Sequence, residues 1–221
     1  MRRRVVVAAL AGALALALGC AAARSAQRNV GTPPGLGLAP IVQTTRYSMP
    51  QPALEKIAIA PLAPSLDLER GGGTAAADAP ALVGRFLAEA LAGQGIAVIP
   101  ASDFEGVLAA GAEEPAAMAG RAAARFGATG VILGRVERFR EREGRPLAVT
   151  QPASVSFEVT LYAAPDGRRL WTARFAHTQQ SADTGPLQAA RYPGGGARWL
   201  TAEELARWGA ANVAKELVAQ R

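Results

Sequence analysis

The longest strict alternation in the chain runs through residues 153–180, and it leaves room for little but a β-hairpin. Ala153, Val155, Phe157, Val159 and Leu161 alternate with Ser154, Ser156, Glu158, Thr160 and Tyr162, which puts the apolar side chains on one face of a strand and the polar ones on the other. Pro165-Asp166-Gly167 is a turn signal, and residues 169–180 return with Trp171, Ala173 and Phe175 on one side. A sheet with one apolar face must be covered, so the rest of the chain has to supply helices.

The amino-terminal residues do not belong to that sheet. Arg2, Arg3 and Arg4 precede an apolar run over residues 5–18, which closes on Gly19-Cys20. A positive start, an apolar stretch of about 14 residues where a membrane span needs roughly 20, and small residues at a cut site form a secretory signal pattern. Ala17-Leu18-Gly19-Cys20 resembles the lipobox of bacterial lipoproteins, although Ala17 stands where that pattern more often has leucine. The resemblance implies cleavage before Cys20, a diacylglycerol on its thiol and acylation of the new amino group. The same residues also admit an uncleaved membrane anchor or a secreted protein without lipid. With each buried methylene worth about 0.8 kcal/mol, more than one acyl chain makes a stable anchor. Residues 1–19 are therefore expected to be a lipoprotein signal peptide and Cys20 the lipid attachment. Ala21 and Ala22 follow, with no Asp at position 21; the resemblance then implies placement in the outer membrane, with the domain facing the periplasm.

Residues 20–52 hold Gly31, Pro33, Pro34, Gly35, Gly37, Pro40, Pro50 and Pro52 with little apolar periodicity, as expected of a flexible lipidated tether. Its average reach would be about 30 Å. Ile41-Val42 within it could still pair with a sheet edge. Residues 53–221 have the size of one domain. The formal charge of +6 includes Arg2, Arg3 and Arg4, and no polybasic block remains once these leave, so no nucleic-acid partner is expected. Cys20 is the single cysteine, which excludes an intrachain disulfide and a cluster of thiolate metal ligands.

Lys56-Ile57-Ala58-Ile59-Ala60-Pro61-Leu62 predicts a short strand ended by proline, and residues 65–77, with Gly71-Gly72-Gly73, predict a loop. Asp78 is placed to cap a helix whose Leu82, Val83, Phe86, Leu87, Ala90 and Leu91 recur at helical spacing up to Gly93 and Gly95. Residues 96–99 predict a second strand. Ser102-Asp103-Phe104-Glu105 has the form of a capping box for a short helix carrying Phe104, Val107 and Leu108 inward. A further helix over residues 115–126 buries Met118, Ala122 and Phe126 before Gly127 ends it. Val131-Ile132-Leu133-Gly134 suits a strand covered on both faces, and its continuation over 135–142 alternates charged and apolar residues. That continuation is expected to leave the covered sheet as an exposed, charged end. Residues 181–198, with Pro193-Gly194-Gly195-Gly196, form a long loop. Thr201 and Glu204 make a capping box, and Leu200 and Leu205 a hydrophobic staple, for a last helix with Leu205, Trp208, Val213 and Leu217 inward.

The resulting order, β-α-β-α-α-β-β-β-α, defines the expected fold class: α/β, one domain, a mixed sheet of about five strands with helices packed on it. That order, the Ile57-Ala58-Ile59-Ala60-Pro61-Leu62 opening and the passage Phe126-Gly127-Ala128-Thr129-Gly130-Val131-Ile132-Leu133-Gly134 resemble a group of bacterial envelope lipoproteins and domains. The group includes the curli secretion lipoprotein CsgG, the penicillin-binding-protein activator LpoB and the amino-terminal domain of TolB. Thr129 stands where the group frequently has Asp. The resemblance implies a periplasmic partner-binding domain on a lipid tether and carries over no catalytic residue.

The chemistry-bearing residues are few. His177 is the only histidine, so a histidine metal cluster or a conventional triad lacks parts, and neither metal nor cofactor is expected. Glu113-Glu114 and Glu203-Glu204 stand near helix starts, where the helix dipole accounts for them. Gly71-Gly72-Gly73 lacks the Lys-Ser or Lys-Thr of a phosphate loop. Aromatic and arginine side chains make typical partner anchors, which singles out Tyr192, Arg198 and Trp199 in the long loop and Arg138 and Arg140 on the charged strand end. The expectation is a non-enzymatic lipoprotein that binds and supports another envelope protein or assembly. The alternative is an oligomeric outer-membrane secretion or transport component of CsgG-like kind, built from like subunits.

Overall fold

The computed structural model describes residues 38–47, 53–70, 74–108, 114–183 and 185–219. Its strands are β1 (Val42–Arg46), β2 (Lys56–Ile59), β3 (Ala63–Pro64), β4 (Ala97–Ile99), β5 (Gly130–Arg140), β6 (Glu143–Arg145), β7 (Ala148–Gln151), β8 (Ser154–Ala163) and β9 (Arg169–Thr178). The helices are α1 (Leu66–Arg70), α2 (Thr74–Ala92), α3 (Ala101–Leu108), α4 (Pro115–Phe126), α5 (Pro186–Ala189) and α6 (Ala202–Ala219). A seven-stranded mixed sheet runs in the order β1-β9-β8-β5-β2-β4, with β3 also on β5, and β6 and β7 form a separate two-stranded ribbon.

The α/β class and the mixed sheet are as the sequence predicts. The strand count exceeds the expected five because β1 and β3 join the sheet. β1 falls within residues 20–52 and pairs antiparallel with β9, Val42 opposite Phe175 and Arg46 opposite Trp171, as the Ile41-Val42 pattern allowed. Cys20, the leader, residues 20–37 and 48–52, Gly71-Gly72-Gly73 and Glu113 lie outside the described residues.

Strand β5 joins the two halves of the sheet. It lies parallel to β2, Ile57 opposite Gly130, and antiparallel to β8 from Gly130 opposite Ala163 to Arg140 opposite Ser154. One face of the sheet, with Ile57, Ile59, Ile132, Val136, Val155, Phe157 and Phe175, packs beneath α2 and α6 in the larger core. The other face is covered only in part. Ala58, Ala60 and Val131 meet Phe104 of α3 and Ala119 and Ala122 of α4, with Leu133 and Tyr162 at the margin. Alanines on both sides of this contact let α4 approach the sheet closely. Gly127 ends α4 in the left-handed conformation, φ 63°, as a glycine can without Cβ strain. The Lys56 ammonium donates to the Phe126 carbonyl at 3.1 Å, a cation at a helix carboxyl end.

Three local expectations are corrected. Residues 65–77 are not a plain loop: Ser65 accepts from the Leu68 amide at 3.2 Å and starts α1, and α2 already begins at Thr74, ahead of Asp78. Helix α3 starts at Ala101, so Ser102 sits inside its first turn and donates to Asp103 at 3.2 Å instead of capping it; the side chains of Glu105, Val107 and Leu108 lie outside the described residues. The charged continuation of β5 does not leave the sheet. It stays paired with β8 to Arg140, across a bulge between Val136 and Arg138, and Val136 is wholly buried. A bulge re-aims side chains while pairing continues, which is why charge and alternation misread as a strand leaving its sheet.

Helix α6 lies so close to β9 that a Cβ on Gly209 would stand 2.7 Å from the Phe175 ring. Gly209→Ala is therefore expected to lower stability by about 2 kcal/mol in urea denaturation, the scale of an overpacked core. A loss under about 0.5 kcal/mol, the scale of surface changes, would show that Phe175 yields freely.

Candidate functional site

The singled-out residues gather in two places at the far end of the β5–β8–β9 half: the uncovered sheet face and the loop that leads into α6. On the face, cross-strand pairing places Arg135 opposite Glu158, Arg138 opposite Ser156 and Arg140 opposite Ser154, and β9 adds Thr172, Arg174, Ala176 and Thr178 opposite Thr160, Glu158, Ser156 and Ser154. Directly paired residues share a face. Glu137, in the bulge, is the hub: its Oε2 accepts from Arg174 Nη2 at 2.7 Å and from the Ser156 hydroxyl at 2.8 Å. Arg135 lies 3.6 Å from Glu137 and 3.4 Å from Glu158. Burial alone would raise the Glu137 pKa, but hydrogen bonds from Arg174 and Ser156 and the charges of Arg174 and Arg135 outweigh it and hold the carboxyl below its ordinary value.

Beneath these charges run hydroxyl pairs. Thr160 and Thr172 stand 3.1 Å apart, and Ser154 and Thr178 2.6 Å apart. Arg138 Nε donates to the Ser154 hydroxyl at 2.6 Å. Partial burial, then the like charges of Arg140 and Arg174, lower the Arg138 pKa from the arginine range. Arg138 and Arg140 are both exposed, so the structure brings these two together on one surface.

Arg198 and Trp199 belong instead to the bracket that starts α6. The predicted capping box is present: Glu204 N–H donates to Thr201 Oγ1 at 3.1 Å, and Thr201 N–H donates to Glu204 Oε2 at 2.9 Å. Arg198 grips the same carboxylate with both terminal nitrogens, and with the Thr201 contacts this pushes the Glu204 pKa down to about 2, against a smaller opposing effect of burial. Glu141 adds a second carboxylate at the helix start, accepting from the Ala202 amide at 2.9 Å. Trp199 is half-buried; its N–H donates to Pro146 O and its carbonyl accepts from Arg142 Nη1, both at 2.8 Å. The β6–β7 ribbon is thereby tied to the loop, with Leu147 at its tip 82% exposed.

Tyr192 is in the core, 3% exposed, its ring 5.1 Å from Trp208; it shapes the loop from inside. His177 stacks on Phe175 at 4.8 Å and its Nε2 bonds the Ile41 carbonyl at 2.9 Å. Burial lowers its pKa, against that hydrogen bond, so it is a packing residue that ties β9 to the lead-in of β1. An open groove of about 600 Å³ runs past His177 between Leu38, Gln180, Leu187 and Gln188. Among the described residues no group of three or more His, Cys, Asp or Glu side chains could hold a metal ion, and no helix is long and apolar enough to cross a membrane.

Gln179 is the residue that sequence patterns miss. It is 3% exposed, donates from Nε2 to the Arg198 carbonyl at 2.9 Å and accepts at Oε1 from the Leu200 amide at 2.7 Å. A glutamine at the end of an alternating strand carries no signal that it will satisfy a distant loop.

No protein-family model matches the chain, and no curated protein matches it by sequence. Solved structures with some likeness include a point-substituted PelC dodecamer from Paraburkholderia phytofirmans, 22% identical over 62% of this chain and 80% of that one, TM-score 0.41. A second PelC dodecamer from that organism is 20% identical over 81% and 91%, TM-score 0.39. The lipoprotein GNA1162 from Neisseria meningitidis is 17% identical over 57% and 82%, TM-score 0.37.

Two substitutions test the bracket. Gln179→Ala strands the buried Leu200 amide and is expected to cost about 2 kcal/mol by chemical denaturation, with cleavage of the 181–198 loop by protease as a second readout. Because the Glu204 pKa falls from 4.5 to about 2 on folding, its contribution is complete above pH 4.5 and fades as pH drops toward 2. The Glu204 side chain is 37% exposed, so screening limits the effect: Glu204→Gln should cost about 1 kcal/mol at pH 7, and most of the difference from the native chain should be gone in melts near pH 2.

Proposed function

We propose that this chain is a lipid-anchored envelope protein, tethered through Cys20, whose α/β domain binds and supports another envelope protein without catalysing a reaction. The observation that carries the reading is the join between the two parts. The Leu18-Gly19-Cys20 pattern stands some twenty residues ahead of β1, a reach of about 25 Å if that stretch serves as a tether, and β1 then enters the sheet as its edge strand. Cys20 thus has spacer enough to sit in a membrane while the domain stands clear. Ala21, where the lipoprotein resemblance would have Asp mark inner-membrane retention, supports placement in the outer membrane, facing the periplasm.

The surfaces that support partner binding are the face bearing Arg138 and Arg140 and the end where Arg198, Trp199 and the exposed Leu147 meet. Tyr192 acts there by holding the loop in shape. The hairpin also bears on the channel alternative. Strands β8 and β9 have the length of barrel strands, but their apolar face is already packed under α6 and their outward face carries Glu158 and Arg174, whereas a barrel strand needs an apolar outward face.

The test is Cys20→Ala in the full-length chain. Loss of acyl labelling and release from the membrane fraction are the expected outcomes, and unchanged membrane retention would overturn the anchor. Crosslinking of the native chain in envelopes should yield a hetero-complex; a closed ring of like subunits would favour the secretion component instead.

A further inference from the structure

The uncovered sheet face carries more positive charge than it uses. Arg135, Arg138, Arg140 and Arg174 stand against Glu137 and Glu158 only, and both glutamates are engaged by Arg135 and Arg174. Arg138 and Arg140 have no carboxylate at ion-pair distance among the described residues, and the Arg140 side chain makes no hydrogen bond to them. Two residues apart on one strand face, they leave the backbone about 7 Å apart, the spacing of alternate side chains on another extended chain. Beside them on β9 lie the small Ala176 and the hydroxyl of Thr178, and farther along the same face, beyond Glu158 and Arg174, stand Thr160 and Thr172. Helices α3 and α4 stop short, at Leu133 and Tyr162.

We propose that this face is a docking surface for an acidic, extended segment of a partner protein, with alternate carboxylates on Arg138 and Arg140 and its polar backbone over the threonine rows. The proposal rests on the partner-binding reading above and names the surface and the chemistry. The charge pattern selects among anions. A uniformly charged polymer lying along the face would meet Glu137 and Glu158 as well as the arginines, whereas a peptide can place carboxylates at two positions and neutral groups at the others. A membrane surface is a poorer match, because interfacial binding needs apolar side chains to insert, and the exposed large apolar residues Leu66, Leu147 and Leu187 all lie off this face. Arginine forks suit carboxylates in paired hydrogen bonds, and Arg138 is already oriented by Ser154.

The experiment has two arms. In cells, a photocrosslinking residue is placed at Thr172, on the face, and separately at Leu147, at the ribbon tip, in native, Arg138→Ala/Arg140→Ala and Arg140→Glu chains. An adduct from Thr172 that both variants lose supports the proposal; Arg140→Glu guards against a folding defect, since Arg140 holds nothing in place. An adduct from Leu147 alone overturns the docking surface and leaves the partner-binding reading standing, and no adduct from either position overturns both. In vitro, the purified full chain is titrated with a fluorescent peptide alternating glutamate and serine, with its lysine counterpart, with alginate and with phosphatidylglycerol vesicles. Binding of the acidic peptide alone, weakened about tenfold in Arg138→Ala/Arg140→Ala, is the expected result. Failure of that peptide to bind, or equal and equally sensitive binding of alginate or vesicles, overturns the assignment to a protein segment.

Discussion

The pairing of β5 with β8 is the constraint from which the rest of the domain follows. β5 is the one strand that is parallel to its neighbour on one side and antiparallel on the other, so the β2–α2–β4 half and the β8–β9 hairpin share a sheet only through it. Its environment changes along its length. From Val131 to Leu133 it is covered on both faces, and past Gly134 only the α2 and α6 side is covered. The composition changes at the same point, from a continuous apolar run to alternating arginine and apolar residues. At the changeover the two strands are so close that a Cβ on Gly134 would stand within van der Waals contact of the Glu158 carbonyl and Val159, a position open to glycine and to no larger residue. At its start Thr129 bolts the strand to β2: its hydroxyl accepts from the Glu55 and Lys56 amides and donates to the Lys56 carbonyl. An Asp there could accept from the same amides but, ionised, could not donate to the Lys56 carbonyl.

Much of this was legible because it is periodic. The hairpin, the α2 and α6 stripes, the Gly127 stop and the Thr201–Glu204 capping box all announce themselves by patterns local in sequence, and each is present. What escaped sequence rules depends on partners far along the chain. Ser65 starts α1 partly because its hydroxyl reaches the Glu137 carbonyl at 3.2 Å, and β1 becomes a strand because β9 offers an open edge. The bulge at Glu137 could not be inferred from alternation, since a bulge is a break in alternation. Of the five singled-out contact residues, composition could mark all as arginine or aromatic, but only tertiary packing separates Tyr192, turned onto Trp208, from Arg140, turned to water.

The two polar surfaces serve different ends. The bracket at Glu204, Glu141 and Gln179 uses its hydrogen bonds inside the domain, fixing a loop rich in glycine against the first turn of α6. The face around Glu137 has the same kinds of group with charge left over. Arg174 and Arg135 are held in place by carboxylates and Arg138 by Ser154, so of the arginines on the face only Arg140 is left for an arriving partner to immobilise, which limits the entropic cost of association.

Such a surface yields specificity and approach rate more readily than affinity, because exposed charge pairs are each worth about 1 kcal/mol or less. A strongly bound complex would need apolar anchors that this face does not have. Under the proposed anchoring at Cys20, however, the face does not work in dilute solution. If the residues between Cys20 and β1 act as the proposed tether, with a reach of about 25 Å, the domain is confined to a thin layer, where tethered partners meet at effective concentrations of about a millimolar. At that concentration a contact with a millimolar dissociation constant is already half occupied. The polar face and the lipid tether are therefore complementary: tethering supplies the proximity, and the arginine pattern is left to choose among neighbours.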